Sequence, residues 1–164
     1  MQRLVFGEYN GTKSGRGEAF LKDCLQAGID AEFTDSIERQ IWEKFVFLVG
    51  LSGATSITRQ SIGPIRQNAQ TRSLLLDAMR EVVGVGRAKG VPLATDFAEN
   101  RLAFCDTLPA AMTSSMQTDL ERGNRLELPW LSGSVVELGA ALGVSTPINR
   151  VISDALALYS QGGR

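Results

Sequence analysis

Residues 35–51 read DSIERQIWEKFVFLVGL, and this stretch decides the fold. It opens with a box-like helix start, in which Asp35 is the N-cap and Glu38 follows three residues later. Apolar side chains then recur at helical spacing, and from Phe45 to Leu51 every residue is apolar or glycine. A surface helix keeps one polar face, so we predict a helix that is buried on most sides and that organises a helical core.

The rest of the chain predicts further helices and very little sheet. Residues 3–9 alternate loosely before the turn signal Asn10-Gly11, and residues 29–34 form a second short strand that pairs with the first. Residues 62–65 break the helical pattern, and residues 125–128 are extended. Further helices are predicted at residues 14–28, 68–90, 95–108, 114–123, 129–142 and 146–159. The expected fold class is mainly α: one domain, residues 1–164, built as a bundle of six or seven helices with a short N-terminal strand pair.

The composition excludes several classes of function. The 17 basic and 18 acidic residues nearly cancel, which argues against a nucleic-acid-binding face. The chain has no histidine and only two isolated cysteines, so the usual serine and cysteine triads are ruled out and no metal site is predicted. It has no apolar run long enough to span a membrane, and we expect no signal peptide. We expect a cytoplasmic protein without nucleic-acid or membrane partners.

Lys44 is the first candidate functional residue. Three of its four neighbours one helical turn away are apolar, so we expect its ammonium group to be incompletely hydrated. A protonated lysine can polarise a ketone and donate a proton to the alkoxide as it forms. The alternative is a lysine that extends from a core helix to water, or that pairs with Glu43 or Gln40.

Two further candidates lie downstream of Lys44. Ser114 and Gln117 form an ordinary capping box, which leaves Ser115 in the first turn beside free backbone N–H groups, where a substrate carboxylate would bind. Glu127 alternates with Leu126 and Leu128, so it faces away from both. It either lines a cleft or is a solvated carboxylate, and the spacing does not choose between these.

A glycine-rich segment, GVGRAKG at residues 84–90, suggests a dinucleotide-binding turn at first sight. Its third glycine comes one residue too late, and the segment before it is helical rather than a strand. We therefore predict a site of small-residue packing and no nucleotide site here.

Taken in order, these pieces resemble the C-terminal domain of ketopantoate reductase (2-dehydropantoate 2-reductase). The resemblance covers essentially the whole chain, including an opening at residues 3–8 that looks like the family's crossover from its first domain. The matching residues are Trp42-Glu43-Lys44, Ser114-Ser115-Met116, Asp119, Gly123, Arg125, Glu127, Gly133, Gly139, Gly143 and Thr146-Pro147-Ile148-Asn149.

The resemblance implies an NADPH-dependent reductase of 2-dehydropantoate or a related 2-keto acid, with the cofactor held by an N-terminal Rossmann domain that this chain lacks. By resemblance, Lys44 matches the catalytic lysine, Ser115 matches a serine that holds substrate, and Glu127 matches an acidic residue that contacts substrate and lies at the cofactor's side of the domain cleft. The implied partners are the keto acid, the Rossmann domain and a second subunit in a homodimer. The chain alone is expected to be inactive.

Three departures from the family pattern bear on the substrate. Leu48 and Ser52 stand where the family carries asparagines one and two turns after the lysine, and Met112 stands at another asparagine position. Ser52 thus remains a candidate substrate-binding residue, whereas leucine cannot hydrogen-bond a substrate hydroxyl. The alternative function is a non-enzymatic helical module for interaction or dimerisation.

Overall fold

The computed structural model of the protein describes residues 3–163. It confirms the mainly α fold class with a short strand pair. The two strands and eight α-helices are β1 (Leu4–Phe6), α1 (Gly15–Gln26), β2 (Ala31–Phe33), α2 (Ile37–Thr58), α3 (Ile62–Gln67), α4 (Ala69–Ala88), α5 (Phe97–Thr107), α6 (Ser115–Arg122), α7 (Ser132–Leu142) and α8 (Pro147–Leu156). One 3₁₀ turn, Leu128–Trp130, lies between α6 and α7, and another, Ala157–Tyr159, follows α8. The chain divides into two compact units, the first ending at Trp42 and the second beginning at Glu43.

The first unit is a small strand–helix–strand motif. β1 and β2 pair in parallel, with Leu4 opposite Ala31 and Phe6 opposite Phe33. The connecting helix α1 begins after Ser14, whose hydroxyl accepts a hydrogen bond from Gly17 N at 3.2 Å. Gly17 is required there because a Cβ atom would overlap the Phe33 ring.

The second unit is a helical bundle around the C-terminal half of α2. Residues 49–56 are all buried, which fits a central helix. Two glycines allow neighbouring helices to approach α2 closely. A Cβ atom on Gly50 would overlap the Met79 side chain of α4, and one on Gly53 would lie 2.9 Å from Ile152 Cδ1 of α8. α4 in turn packs against α5, α7 and α8.

The structure differs from the sequence-based expectation in a few elements. Eight α-helices form within residues 3–163, rather than six or seven, because residues 62–67 make a short helix where Gly63 and Pro64 predicted only a break. The helix expected at residues 129–142 is divided, since Leu131 leaves helical geometry with φ −100° and ψ −104°. α2 begins one residue late, because the Ser36 carbonyl accepts its first helical hydrogen bond, from Gln40 N. Across residues 3–163, no helix has the length and apolar character that crossing a bilayer needs.

Candidate active site

Lys44 lies on the open end of one face of α2. The face opposite Lys44 carries Val46, Val49 and Gly53, all buried in the core. On the face of Lys44 itself, Lys44 is exposed and Leu48 is 37% exposed, whereas Leu51 and Thr55 are buried. This face of α2 is therefore buried at its C-terminal end, at Leu51 and Thr55, and exposed at its N-terminal end, at Lys44. We call these its covered and open ends. Within residues 3–163 the Lys44 side chain is exposed, and the incomplete hydration expected of its ammonium group stays a prediction.

The covered end of this face is fixed by a chain of hydroxyl groups. Thr55 donates its hydroxyl proton to Leu51 O at 2.8 Å, and its oxygen lies 2.8 Å from Ser114 Oγ. The Ser114 oxygen accepts from Gln117 N at 3.1 Å. With the Thr55 proton already used, Ser114 donates to Thr55. The chain runs from the first turn of α6 into α2 and holds the start of α6 against the central helix.

Ser115 is the first residue of α6 and is exposed, as the capping pattern predicted. The predicted box is only half formed, however, because Gln117 Oε1, which would accept from the Ser114 N–H, has no hydrogen-bond partner. Gln117 Nε2 donates to Glu121 Oε1 at 3.0 Å. The Ser114 hydroxyl is used in capping α6 and binding Thr55, whereas the Ser115 side chain is exposed to a ligand. The first-turn N–H groups of a helix lack intrahelical partners and suit an anion.

Glu127 is exposed between the buried Leu126 and Leu128, so it faces away from both leucines, as the alternation indicated. The predicted extended stretch is not: Glu127 precedes the 3₁₀ turn, and its carbonyl accepts from Trp130 N at 3.0 Å. The segment is held in place by Leu126 N, which donates to Ser160 O at 3.0 Å. The Glu127 carboxylate therefore lies at a turn of the chain rather than along an extended strand.

Ser52 differs from the other candidates because it is only 4% exposed. It lies on α2 between the open end at Lys44 and the hydroxyl chain at Thr55. Lys44, Ser115 and Glu127 are thus exposed, whereas Ser52 is buried. Of the elements that carry these residues, α2 and the start of α6 are joined directly, by the hydrogen bond between Thr55 and Ser114.

The loop between α5 and α6, which leads to Ser114, is held at several points. Arg66 Nη1 donates to Leu108 O at 2.8 Å, and the first N–H groups of α3 donate to Ala110 O and Met112 O, both at 2.9 Å. At the end of α5, the Arg72 guanidinium lowers the pKa of the Asp106 carboxyl group through a salt bridge of 2.6 Å. Burial raises the pKa of the neighbouring Cys105 thiol to about 11.

Two parts of this arrangement were missed from the sequence. Thr55 was not singled out, although it lies three helical turns from Lys44 on the same face. The role of Asn149 was also missed: it is buried, and its amide donates to Glu81 Oε2 at 2.7 Å. The helical spacing would have pointed to Thr55, but nothing local pointed to Glu81.

The glycine-rich segment at residues 84–90 belongs to the end of α4, as predicted. Gly84 and Gly86 are helical, and Gly90 follows the helix with a φ of +94°. A helix, α4, rather than a strand leads into it, so it does not make the strand–turn–helix that binds a dinucleotide.

Comparison with known proteins identifies relatives along most of the chain. Residues 36–160 match the sequence family described as ketopantoate reductase PanE/ApbA C terminal. The 2-dehydropantoate 2-reductase of Archaeoglobus fulgidus is 31% identical over 147 residues, which are 89% of this chain and 49% of that protein. A Bacillus subtilis protein named uncharacterized oxidoreductase YkpB is 30% identical over 159 residues, 96% of this chain and 52% of its own length.

A solved structure shows the same fold. The crystal structure of a PanE/ApbA family ketopantoate reductase from Ralstonia eutropha JMP134 superposes with a TM-score of 0.84 at 28% identity, covering 96% of this chain and 51% of that one. The chain spans about half the length of the curated relatives it matches.

Proposed function

We propose that this chain, which belongs to the ketopantoate reductase family and corresponds to its C-terminal domain, supplies the proton donor and substrate pocket for reducing 2-dehydropantoate, or a related 2-keto acid, to the 2-hydroxy acid. The observation that supports it best is the face of α2 described above. Lys44 is exposed at the open end of this face, and the hydrogen bond between Thr55 and Ser114 joins its covered end to the start of α6.

In the proposed reaction, each exposed residue has a chemical task. The Lys44 ammonium group polarises the keto carbonyl and donates a proton to its oxygen as the hydroxyl group forms. Ser115 and the N-terminus of α6 hold the substrate carboxylate, for which the positive end of the helix dipole is suited. Glu127 contacts the substrate, and at the domain cleft it also contacts the cofactor.

The cofactor belongs to a part of the protein that the described residues do not provide. Residues 3–163 offer no dinucleotide-binding turn, so we assign NADPH to an N-terminal Rossmann half and expect this chain alone not to turn over. When bound there, NADPH supplies a hydride to the carbonyl carbon. We also propose a homodimer, as the family resemblance implies.

The test joins this chain to an N-terminal nucleotide-binding half of the family and compares it with the isolated chain. NADPH oxidation is followed with 2-dehydropantoate and a panel of short 2-keto acids. We expect turnover only in the two-domain protein. A folded two-domain protein that binds NADPH but reduces none of the keto acids would refute the proposal and favour a non-enzymatic interaction module.

A further inference from the structure

A cavity of about 360 Å³ lies where α2 and α6 end. It is lined by Arg59, which directly follows α2, by Leu120 and Glu121 in the last turn of α6, and by Tyr159 and Gly163 near the end of the described chain. Its volume falls in the range of cavities that bind small molecules. The residues assigned to the keto-acid site do not line it, so the cavity is a separate place on the molecule.

Arg59 has an unusual backbone conformation for its residue type. Its φ is +53°, and within residues 3–163 it is the only residue other than glycine with a positive φ. The position after a helix commonly takes this conformation, but glycine or asparagine usually occupies it, because a larger side chain strains the backbone there. Strain of this kind is found preferentially at ligand-binding sites. The arginine side chain lies over the Tyr159 ring, with its guanidinium carbon 5.7 Å from the ring centroid, and this contact orients it beside the cavity.

Glu121 brings the opposite charge to the same cavity. Its Oε1 accepts a hydrogen bond from Gln117 Nε2 at 3.0 Å, and Gln117 is only 3% exposed, so the carboxylate is held by a buried donor. Within the described residues, no salt bridge joins Glu121 to Arg59, although both line one cavity. Each charged group therefore has donors or acceptors left for a ligand that carries the opposite charge.

From this arrangement we infer that the cavity binds an α-amino acid with an apolar side chain. The Arg59 guanidinium group binds the carboxylate, for which its two parallel N–H donors are suited, and Glu121 binds the ammonium group. Two such hydrogen bonds with the α-amino acid between them span about 9 Å, close to the diameter of a sphere of about 360 Å³. The side chain of the ligand contacts Leu120 and the Tyr159 ring. A simple anion would be repelled by Glu121, and a simple cation by Arg59.

Calorimetric titration of the full chain tests the inference, with L-leucine as the probe. We expect L-leucine to bind with a Kd below about 1 mM. The analogue 4-methylpentanoate lacks only the ammonium group, and 3-methylbutylamine lacks only the carboxylate. Each analogue should bind at least about tenfold more weakly than L-leucine, because it leaves one charged group of the cavity without a partner.

Two variants each remove one charge of the cavity. Glu121→Gln keeps an oxygen for Gln117 Nε2, and Arg59→Gly relieves the strain of the positive φ. Each should weaken L-leucine binding by at least about tenfold, and the Tm of Arg59→Gly should not fall, since glycine readily adopts this backbone conformation. Arg122→Ala removes a neighbouring charge that does not line the cavity, and should leave the Kd unchanged.

The outcomes of this titration are independent of the reductase activity. A Kd for L-leucine above about 1 mM, equal affinity for L-leucine and its two analogues, or a folded Glu121→Gln variant with the parent affinity overturns the inference. Neither a keto acid nor NADPH is present, so the proposed function stands or falls separately, by the assay of the two-domain protein. If the Arg59→Gly variant does not fold, Glu121→Gln decides.

Discussion

At the scale of single residues, two adjacent serines have opposite roles. Ser114 is 7% exposed and bonded to both Gln117 N and Thr55, whereas Ser115 is exposed at the start of the same helix. A capping pattern distinguishes them from sequence, because the N-cap hydroxyl is used by the helix and the next one is not. What the pattern does not reveal is that Ser114 also binds the central helix.

This difference gives a test of substrate binding. In the two-domain protein, Ser115→Ala and Glu127→Ala should each raise KM for 2-dehydropantoate by about tenfold, with a smaller fall in kcat. Each change removes a hydrogen bond worth about 1.5 kcal/mol, from Ser115 to the substrate carboxylate or from the substrate hydroxyl group to Glu127. Steady-state kinetics measures both. Ser114→Ala is the control, and should lower the free energy of unfolding by about 1–2 kcal/mol. A KM unchanged in both Ser115→Ala and Glu127→Ala would exclude them from the substrate site.

Glu8, in the first unit, is a carboxyl group whose pKa is strongly lowered by two hydrogen-bond donors. Arg16 Nε donates to it at 2.7 Å and Ser14 Oγ at 2.6 Å, and these bonds lower its pKa from the ordinary 4.5 to about 2. Because the folded-state pKa is lowered, the stabilisation is complete above about pH 4.5 and is lost as the pH falls towards 2.

An NMR titration of the Glu8 side chain checks this assignment. We expect a midpoint near pH 2 in the parent protein and a clear rise towards 4.5 in Arg16→Ala, since Arg16 is the larger of the two causes. Arg39→Ala, also in the first unit, is the matched control. The same midpoint in the parent and Arg16→Ala proteins would show that the guanidinium group does not hold this carboxylate.

At the scale of elements, α8 shows what local sequence cannot reveal. Thr146-Pro147 predicts the start of this helix correctly, but Thr146 gives it no side-chain cap. The cap comes from Glu81 on α4, whose carboxylate accepts from Ile148 N at 2.7 Å and Asn149 N at 2.9 Å. A carboxylate at a helix N-terminus is also favoured by the helix dipole. Its partner lies 67 residues away in sequence, beyond the reach of any capping pattern.

Removing this distant cap should destabilise the second unit. We expect Glu81→Ala to lower the free energy of unfolding by about 2–4 kcal/mol, because it leaves two backbone N–H groups and the buried Asn149 amide without their charged acceptor. Urea unfolding measures the change. Glu137→Ala, on the exposed side of α7, should change it by less than about 0.5 kcal/mol. Equal effects of the two changes would contradict a capping role for Glu81.

At the scale of the whole molecule, the sequence predicted the fold class and most helix positions. It missed a short helix where residues that usually end a helix occupy the first turn of one. Gly63 and Pro64 predicted a break, yet α3 forms because Pro64 occupies its first turn, where no N–H is needed. The central position of α2 could be predicted, because a helix that is apolar on most sides has to be buried. The exposure of Lys44 could not, since it depends on what covers the open end of α2.

The central claim is that Lys44 is the proton donor, and one variant tests it most directly. In the two-domain protein, Lys44→Ala should lower kcat by about 10²–10⁴-fold, the range for loss of a general acid. The affinity for NADPH, measured by fluorescence titration, should stay unchanged, and Lys89→Ala should retain parent activity. Turnover in Lys44→Ala equal to that of the parent protein would contradict the account.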